Sequence, residues 1–225
     1  MSDERELELE ASWTDNAAAW ATVVRDNRIP SRTAGTNAAI VDAIRSVEPR
    51  RLLDVGCGEG WMTRLMAAEG VDAVGIDISP PLIDAARAIG GARFVVMPYE
   101  ELRARQPELG GAFDTIVCNF ALLGASLVPL LGMLRSLATP DATLLIQTVH
   151  PWTARGEEPY ADGWRTETFA GFGDTFAKPM PWFYRTLSTW VLELRASGWA
   201  IEGVSEPLHP ETVVPLSLLL SARPG

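Results

Sequence analysis

The 225-residue sequence predicts one α/β domain on a seven-stranded, mostly parallel sheet, and three observations carry that prediction. From Arg51 to Gln147, short apolar runs alternate with segments of helical period, the pattern of βαβ units on a parallel sheet. The first run ends in a loop with glycine at alternate positions, Gly56, Gly58 and Gly60, where open parallel sheets bind ligands. The last two runs are separated only by Ser205 to Pro215, too short for a crossover helix, so they pair antiparallel as an edge hairpin.

Each element has its own signal. Residues 13–25 and 37–46 read as two helices joined around Ile29-Pro30-Ser31. The seven strands are placed at 51–55, 72–76, 92–96, 113–118, 143–148, 199–204 and 216–222. After the first strand, Trp61, Met62, Leu65 and Met66 share one helix face. The helix after the second opens on Ser79-Pro80-Pro81, a capping hydroxyl before proline, and buries Leu82, Ile83, Ala86 and Ile89. Leu127, Leu130, Leu131, Leu134 and Leu137 face inward from a third helix, and Leu187, Trp190, Val191 and Leu194 from a fourth. Between these last two, from Trp152 to Tyr184, no period is visible. Long irregular stretches of this kind serve as lids or binding loops. One domain thus divides into a helical N-terminal cap (1–48), a core (51–148), an aromatic lid and substrate segment (149–184), and a C-terminal helix with hairpin (185–225).

Composition narrows the partners. A formal net charge of −10 repels a phosphate backbone, and no basic patch offsets it, so nucleic acid is disfavoured as a substrate class. No run approaches the roughly 18 apolar residues of a membrane span, and the start is acidic rather than basic then apolar, so a cytoplasmic protein is expected. Two cysteines, Cys57 and Cys118, make neither a disulfide framework nor a metal site. The expected partner is a small molecule, the expected state a monomer or homodimer, and no metal is expected.

The loop Asp54-Val55-Gly56-Cys57-Gly58-Glu59-Gly60 carries the chemistry. Alternate glycines allow a tight turn and bring bare amides against a ligand. Asp77, closing the second strand, is placed to accept ribose hydroxyls, which fits an adenosine cofactor. A dinucleotide fingerprint needs its third glycine at the place of Trp61, and here that glycine comes one residue early. Asp54 and Glu59 also put carboxylates where a pyrophosphate would lie, whereas a cofactor with an ammonium and a sulfonium tolerates them. The reading favours S-adenosylmethionine over a nicotinamide dinucleotide.

These residues, with Phe113-Asp114-Thr115-Ile116-Val117-Cys118-Asn119 at the fourth strand, resemble a class I S-adenosylmethionine-dependent methyltransferase of the ubiquinone/menaquinone-biosynthesis type, over roughly 51–147. The resemblance implies a Rossmann-like fold and methyl transfer to a small molecule, and leaves the acceptor open. It implies that Gly56, Cys57 and Gly58 line the methionine part beside Asp54, that Asp77 binds the ribose, and that Ile78 packs on adenine. Asn119 and Phe120 would border the methionine moiety and the methyl group. Where the family often has an aspartate for the adenine amine this chain has Pro98, so backbone amides near Tyr99 take that place in the expectation.

On the acceptor side, His150 directly follows the fifth strand and is the candidate general base; His209, in the terminal hairpin, is a second. The aromatics of 152–184, with Trp13 and Trp20, are expected to cover a flat apolar acceptor. Arg28 or Arg32 is a candidate for the cofactor carboxylate. The function expected is methyl transfer to an oxygen of an aromatic or apolar metabolite, with a non-catalytic cofactor-binding protein, or an NAD-dependent oxidoreductase, as alternatives.

Overall fold

The computed structural model describes residues 2–225. Among these, nine strands are present: β1 (Arg51–Val55), β2 (Asp72–Asp77), β3 (Arg93–Val96), β4 (Phe113–Asn119), β5 (Ala138–Val149), β6 (Gly163–Glu167), β7 (Met180–Tyr184), β8 (Trp199–Ser205) and β9 (Ser217–Pro224). Seven form one sheet in the order β3-β2-β1-β4-β5-β9-β8, the fold class expected. β1 to β5 pair in parallel, and β9 runs antiparallel to both β5 and β8. The helices are α1 (Ser2–Asp15), α2 (Ala17–Arg25), α3 (Asn37–Ser46), α4 (Trp61–Ala68), α5 (Pro80–Ile89), α6 (Leu102–Arg105), α7 (Val128–Leu137), α8 (Pro151–Ala154) and α9 (Leu187–Ala196).

Parallel strands buried on both faces read as continuous apolar runs, and β1, β2 and β4 do so. On one face α6, α7 and α9 close the main core, where Leu131, Leu134 and Leu194 meet Ile116, Leu144 and Leu220. On the other, Ile40 and Ile44 of α3 and Met62 and Met66 of α4 pack on Leu52, Val117 and Leu145. Trp199 is the largest of the side chains that are less than 2% exposed, and its indole N–H donates to the Leu131 carbonyl at 2.9 Å, which ties β8 to α7. Cys57 and Cys118 are buried free thiols, and burial pushes both thiol pKa values up.

Five local expectations are corrected. The N-terminal helix is two helices beginning at Ser2, because Asn16 breaks the run. Its side chain leaves the helix to accept from Ala177 N (3.0 Å) and donate to the Lys178 carbonyl (2.9 Å). The segment from Trp152 to Tyr184 is not irregular throughout, since β6 and β7 form an antiparallel hairpin of their own. Ser79 precedes α5 without capping it through its hydroxyl; Ile89, at the end of α5, is 51% exposed, and Leu187, at the start of α9, is 39% exposed. No helix among the described residues is long and apolar enough to cross a membrane.

Trp199→Ala removes both a packed ring and its hydrogen bond, and is expected to cost about 3–5 kcal/mol. Urea unfolding reads this as a lower midpoint; a loss below about 1 kcal/mol would show that β8 is not packed on α7 as described.

Candidate active site

The strand order reverses between β1 and β4, and the carboxyl ends of these strands open on a cavity of about 410 Å³. Its floor is the turn after β1. Gly56 N and Cys57 N both donate to the Ile76 carbonyl, at 2.8 and 2.9 Å, and Gly58 N donates to Asp77 Oδ2 at 2.8 Å. Holding three successive amides on β2 forces left-handed backbone at Gly56 (φ +70°) and Gly58 (φ +57°). A Cβ on Gly56 would overlap Ala121, whereas the corresponding position on Gly58 meets nothing within 4 Å. Gly60 differs from both, being the left-handed N-cap of α4, where a Cβ would strike the Phe94 ring.

Acidic groups surround the floor, and each inner one has a local partner. Asp54, 1% exposed, accepts from Thr63 Oγ1 at 2.6 Å. Burial pushes its carboxyl up to about 7, helped by neighbouring Asp77 and opposed by the Thr63 bonds and the Arg32 charge. Burial likewise raises Asp77, against the amides of Ser79 and Gly58. Glu59 pairs with Arg64 at 2.5 Å. Arg32 lies over the Trp61 ring at 5.9 Å, and its buried Nη1 has no hydrogen-bond partner in the protein. Burial lowers this guanidinium to about 10, although Glu59 and Asp54 favour its charge.

The wall opposite is the end of β4. Asn119 is buried, and its Oδ1 accepts from Gln147 Nε2 at 3.0 Å. Phe120 adopts φ +54°, sparsely populated for a non-glycine residue, and its amide donates to the Gln147 carbonyl at 2.7 Å. The chain then turns outward, and the lining continues from Ala121 through Leu127 and Leu130 to Met133. From above, α1 contributes Glu6, Leu9, Glu10 and Trp13, and α2 contributes Trp20. Glu6 Oε1 accepts from Ala125 N at 2.6 Å, which fastens α1 across the opening.

Asp54, Gly56, Cys57, Gly58, Asp77, Ile78, Tyr99, Asn119 and Phe120 therefore all line one cavity, as does Arg32. His150, Arg28 and His209 do not line it. The His150 ring is buried with Nε2 2.7 Å from Glu206 Oε1, and His209 Nδ1 accepts from its own loop at Glu211 N and Thr212 N. No residue from Trp152 to Tyr184 lines the cavity either. Phe169, Phe172, Phe176 and Met180 pack on Leu9, Trp13 and Trp20, so the aromatic segment braces the helices that form the roof. Sequence reasoning missed Thr63, Glu6, Leu9 and Glu10. Thr63 had a signal in its place three residues into the helix that follows the glycine loop; the α1 residues had none.

Residues 31–204 match the family described as a methyltransferase domain, and the chain belongs to that family. It is 33% identical over 106 residues to a ubiquinone biosynthesis O-methyltransferase of Xanthomonas campestris pv. campestris; the match takes in 44% of this chain and 43% of that protein, so the chain spans less than half the length of the curated relatives it matches. Among solved structures it resembles an S-adenosylmethionine dependent methyltransferase from Mesorhizobium loti, at 24% identity and TM-score 0.62, over 81% of this chain and 96% of that one. It also resembles the Burkholderia thailandensis 1,6-didemethyltoxoflavin-N1-methyltransferase, at 20% identity and TM-score 0.59, over 100% and 90% of the two chains. At these identities the two structures establish a shared fold.

The raised Asp54 carboxyl has a sign that can be tested without any ligand. The folded protein holds a proton there that the unfolded chain gives up near pH 4, so this group costs stability progressively as pH rises through about 7. Asp54→Asn keeps an acceptor for Thr63 and removes that cost. Its melting temperature relative to the unmodified protein is expected to be higher at pH 8 than at pH 5. A difference independent of pH over that range would contradict the raised carboxyl.

Proposed function

We propose that the protein transfers the methyl group of S-adenosylmethionine to a small apolar or aromatic molecule. The observation that carries this reading is the buried, unpartnered Nη1 of Arg32, in a cavity whose floor is a glycine turn and whose sides are carboxylates. That donor set fits a zwitterionic, sulfonium-bearing cofactor. Arg32 would take its carboxylate, and Asp54 would face its ammonium. Asp77 spends one lone pair of each oxygen on Gly58 N and Ser79 N, which leaves acceptor capacity for two ribose hydroxyls. Ile78 and Tyr99 line the part assigned to adenine. A dinucleotide fits poorly, since its pyrophosphate would meet Asp54 and Glu59. When bound, the sulfonium supplies an electrophilic methyl carbon.

The chain's own contribution to such a displacement is alignment and exclusion of water. Asn119 and Phe120 border the reacting region; Leu127, Leu130 and Met133, with Leu9 and Trp13 from the roof, supply apolar walls for the acceptor. Oxygen is the first acceptor assigned, supported by the name of the Xanthomonas relative. Nitrogen is the second, and the position of the histidines favours it: a neutral amine attacks without prior loss of a proton, and neither histidine lines the cavity. The net charge of −10 supports small molecules over nucleic acid, and we read the protein as a cytoplasmic monomer or homodimer.

Arg32→Ala and Asp77→Ala are each expected to weaken S-adenosylhomocysteine binding about tenfold or more, the loss of a charge-assisted hydrogen bond, as measured by calorimetry. Unchanged affinity in both would remove the cofactor placement. Incubation with methyl-labelled S-adenosylmethionine and a panel of phenols, amines and quinone precursors is expected to label a phenol or an amine. Tight cofactor binding with no label transferred to any acceptor would favour a non-catalytic role.

A further inference from the structure

We infer that Gln147 is a positioning residue of this site: one buried amide fixes both the Asn119 side chain and the turn that carries Arg32. The inference rests on the reading of the cavity given above. Gln147 stands opposite Asn119 in the parallel register of β5 on β4, is 1% exposed, and does not itself line the cavity. Its Nε2 donates to Asn119 Oδ1 at 3.0 Å and to the Thr36 carbonyl at 2.9 Å. Both partners are acceptors, so only the NH2 end of the amide can face them; the opposite orientation would set three oxygens together.

Two consequences follow for the cavity. With its oxygen held by Gln147, Asn119 is left with its NH2 as the free end, so it offers the cavity a donor and not an acceptor. A donor at this wall suits an acceptor molecule that carries a lone pair. Thr36, fully buried, ends the π-helical turn Arg32–Thr36, whose first residue is the cavity guanidinium. Gln147 thus links the strand wall to the roof. Its Oε1 has no hydrogen-bond partner, and its neighbours on this face are Leu145 and Leu219. Its unpaired oxygen costs stability, while its NH2 spares the Thr36 carbonyl and Asn119 Oδ1 the same cost.

A double-mutant cycle and a pH response separate a positioning role from a structural one. Calorimetry with S-adenosylhomocysteine, and urea unfolding, are compared for Q147L, Q147E, N119A and the double variant Q147L/N119A in the full chain. Q147L leaves the Thr36 carbonyl and Asn119 Oδ1 unpaired and is expected to lower the unfolding midpoint, and to bind about three- to tenfold more weakly, one or two hydrogen bonds' worth. The effect of Q147L is expected to shrink in the N119A background, because part of it acts through Asn119. Q147E cannot donate when ionised and is expected to bind better at pH 5.5 than at pH 8, relative to the unmodified protein at each pH. Undiminished affinity in Q147L overturns the inference, as does an equal loss in both backgrounds. Should Q147L fail to fold, the pH response of Q147E decides. If the unmodified protein does not bind S-adenosylhomocysteine, the cofactor reading fails by itself. The link is then tested by NMR of the ligand-free chain: N119A must shift the Gln147 side-chain NH2 resonances, and unshifted resonances overturn it.

Discussion

Three successive amides after β1, those of Gly56, Cys57 and Gly58, are all spent on β2, two on the Ile76 carbonyl and one on Asp77. This transfer is possible because β1 and β2 pair in parallel with Val55 opposite Ile76, which brings both carboxyl ends to the same level. The geometry can be met only with left-handed backbone, so glycine is required at two of the three positions. The bend that results leaves the surface of Gly58 open and presses Gly56 against Ala121, which sets the distance between the ends of β1 and β4. The cavity is the space this turn holds apart.

Charge is distributed around that space unevenly. Six carboxylates line it, those of Glu6, Glu10, Asp54, Glu59, Asp77 and Glu100, against the single guanidinium of Arg32. The inner acids are stabilised by fixed donors: a threonine hydroxyl on Asp54, two amides on Asp77, an arginine on Glu59. Such preorganised groups cost no rearrangement when a cation arrives. Burial of Glu10 beside Glu100 and Glu6 raises its carboxyl, so the roof side of the cavity is acidic as well. An anionic ligand therefore has one favourable direction of approach, toward Arg32, and a dipolar ligand is oriented by the same asymmetry.

The sheet and its terminal hairpin were legible because parallel strands and their helices write their burial into short apolar runs, and β1 and β4 begin where the sequence places them. Asp54, Gly56, Cys57, Gly58 and Asp77 were legible for a related reason, since the ends of β1 and β2 must converge; Ile78, Tyr99, Asn119 and Phe120 came from the family resemblance. The roof was not. Ser2–Asp15 is acidic and has no continuous apolar stripe, and Leu9 is buried only because Phe169 and Met180, some 160 residues further on, come to meet it. Nor does sequence distance along a strand reveal which way a side chain turns. His150 follows β5 directly, as expected, yet its ring is held by Glu206 outside the cavity. The hairpin of β6 and β7 lay hidden because its strands carry Pro181 and Gly163 and pair only with each other.

The two cysteines give this protein a built-in clock. Cys57 lies in the turn under the cavity and Cys118 inside β4, and both thiols are buried, with their ionisation suppressed. Alkylating reagents attack the thiolate, so both sulfurs are expected to react slowly, and Cys118, which lines no cavity, only when its surroundings open. The labelling rate at Cys118 thus measures how often the centre of the sheet unfolds, and that at Cys57 how accessible the floor of the cavity is. A ligand that closes on the turn would slow the first more than the second, and no dye or engineered probe is needed to observe it.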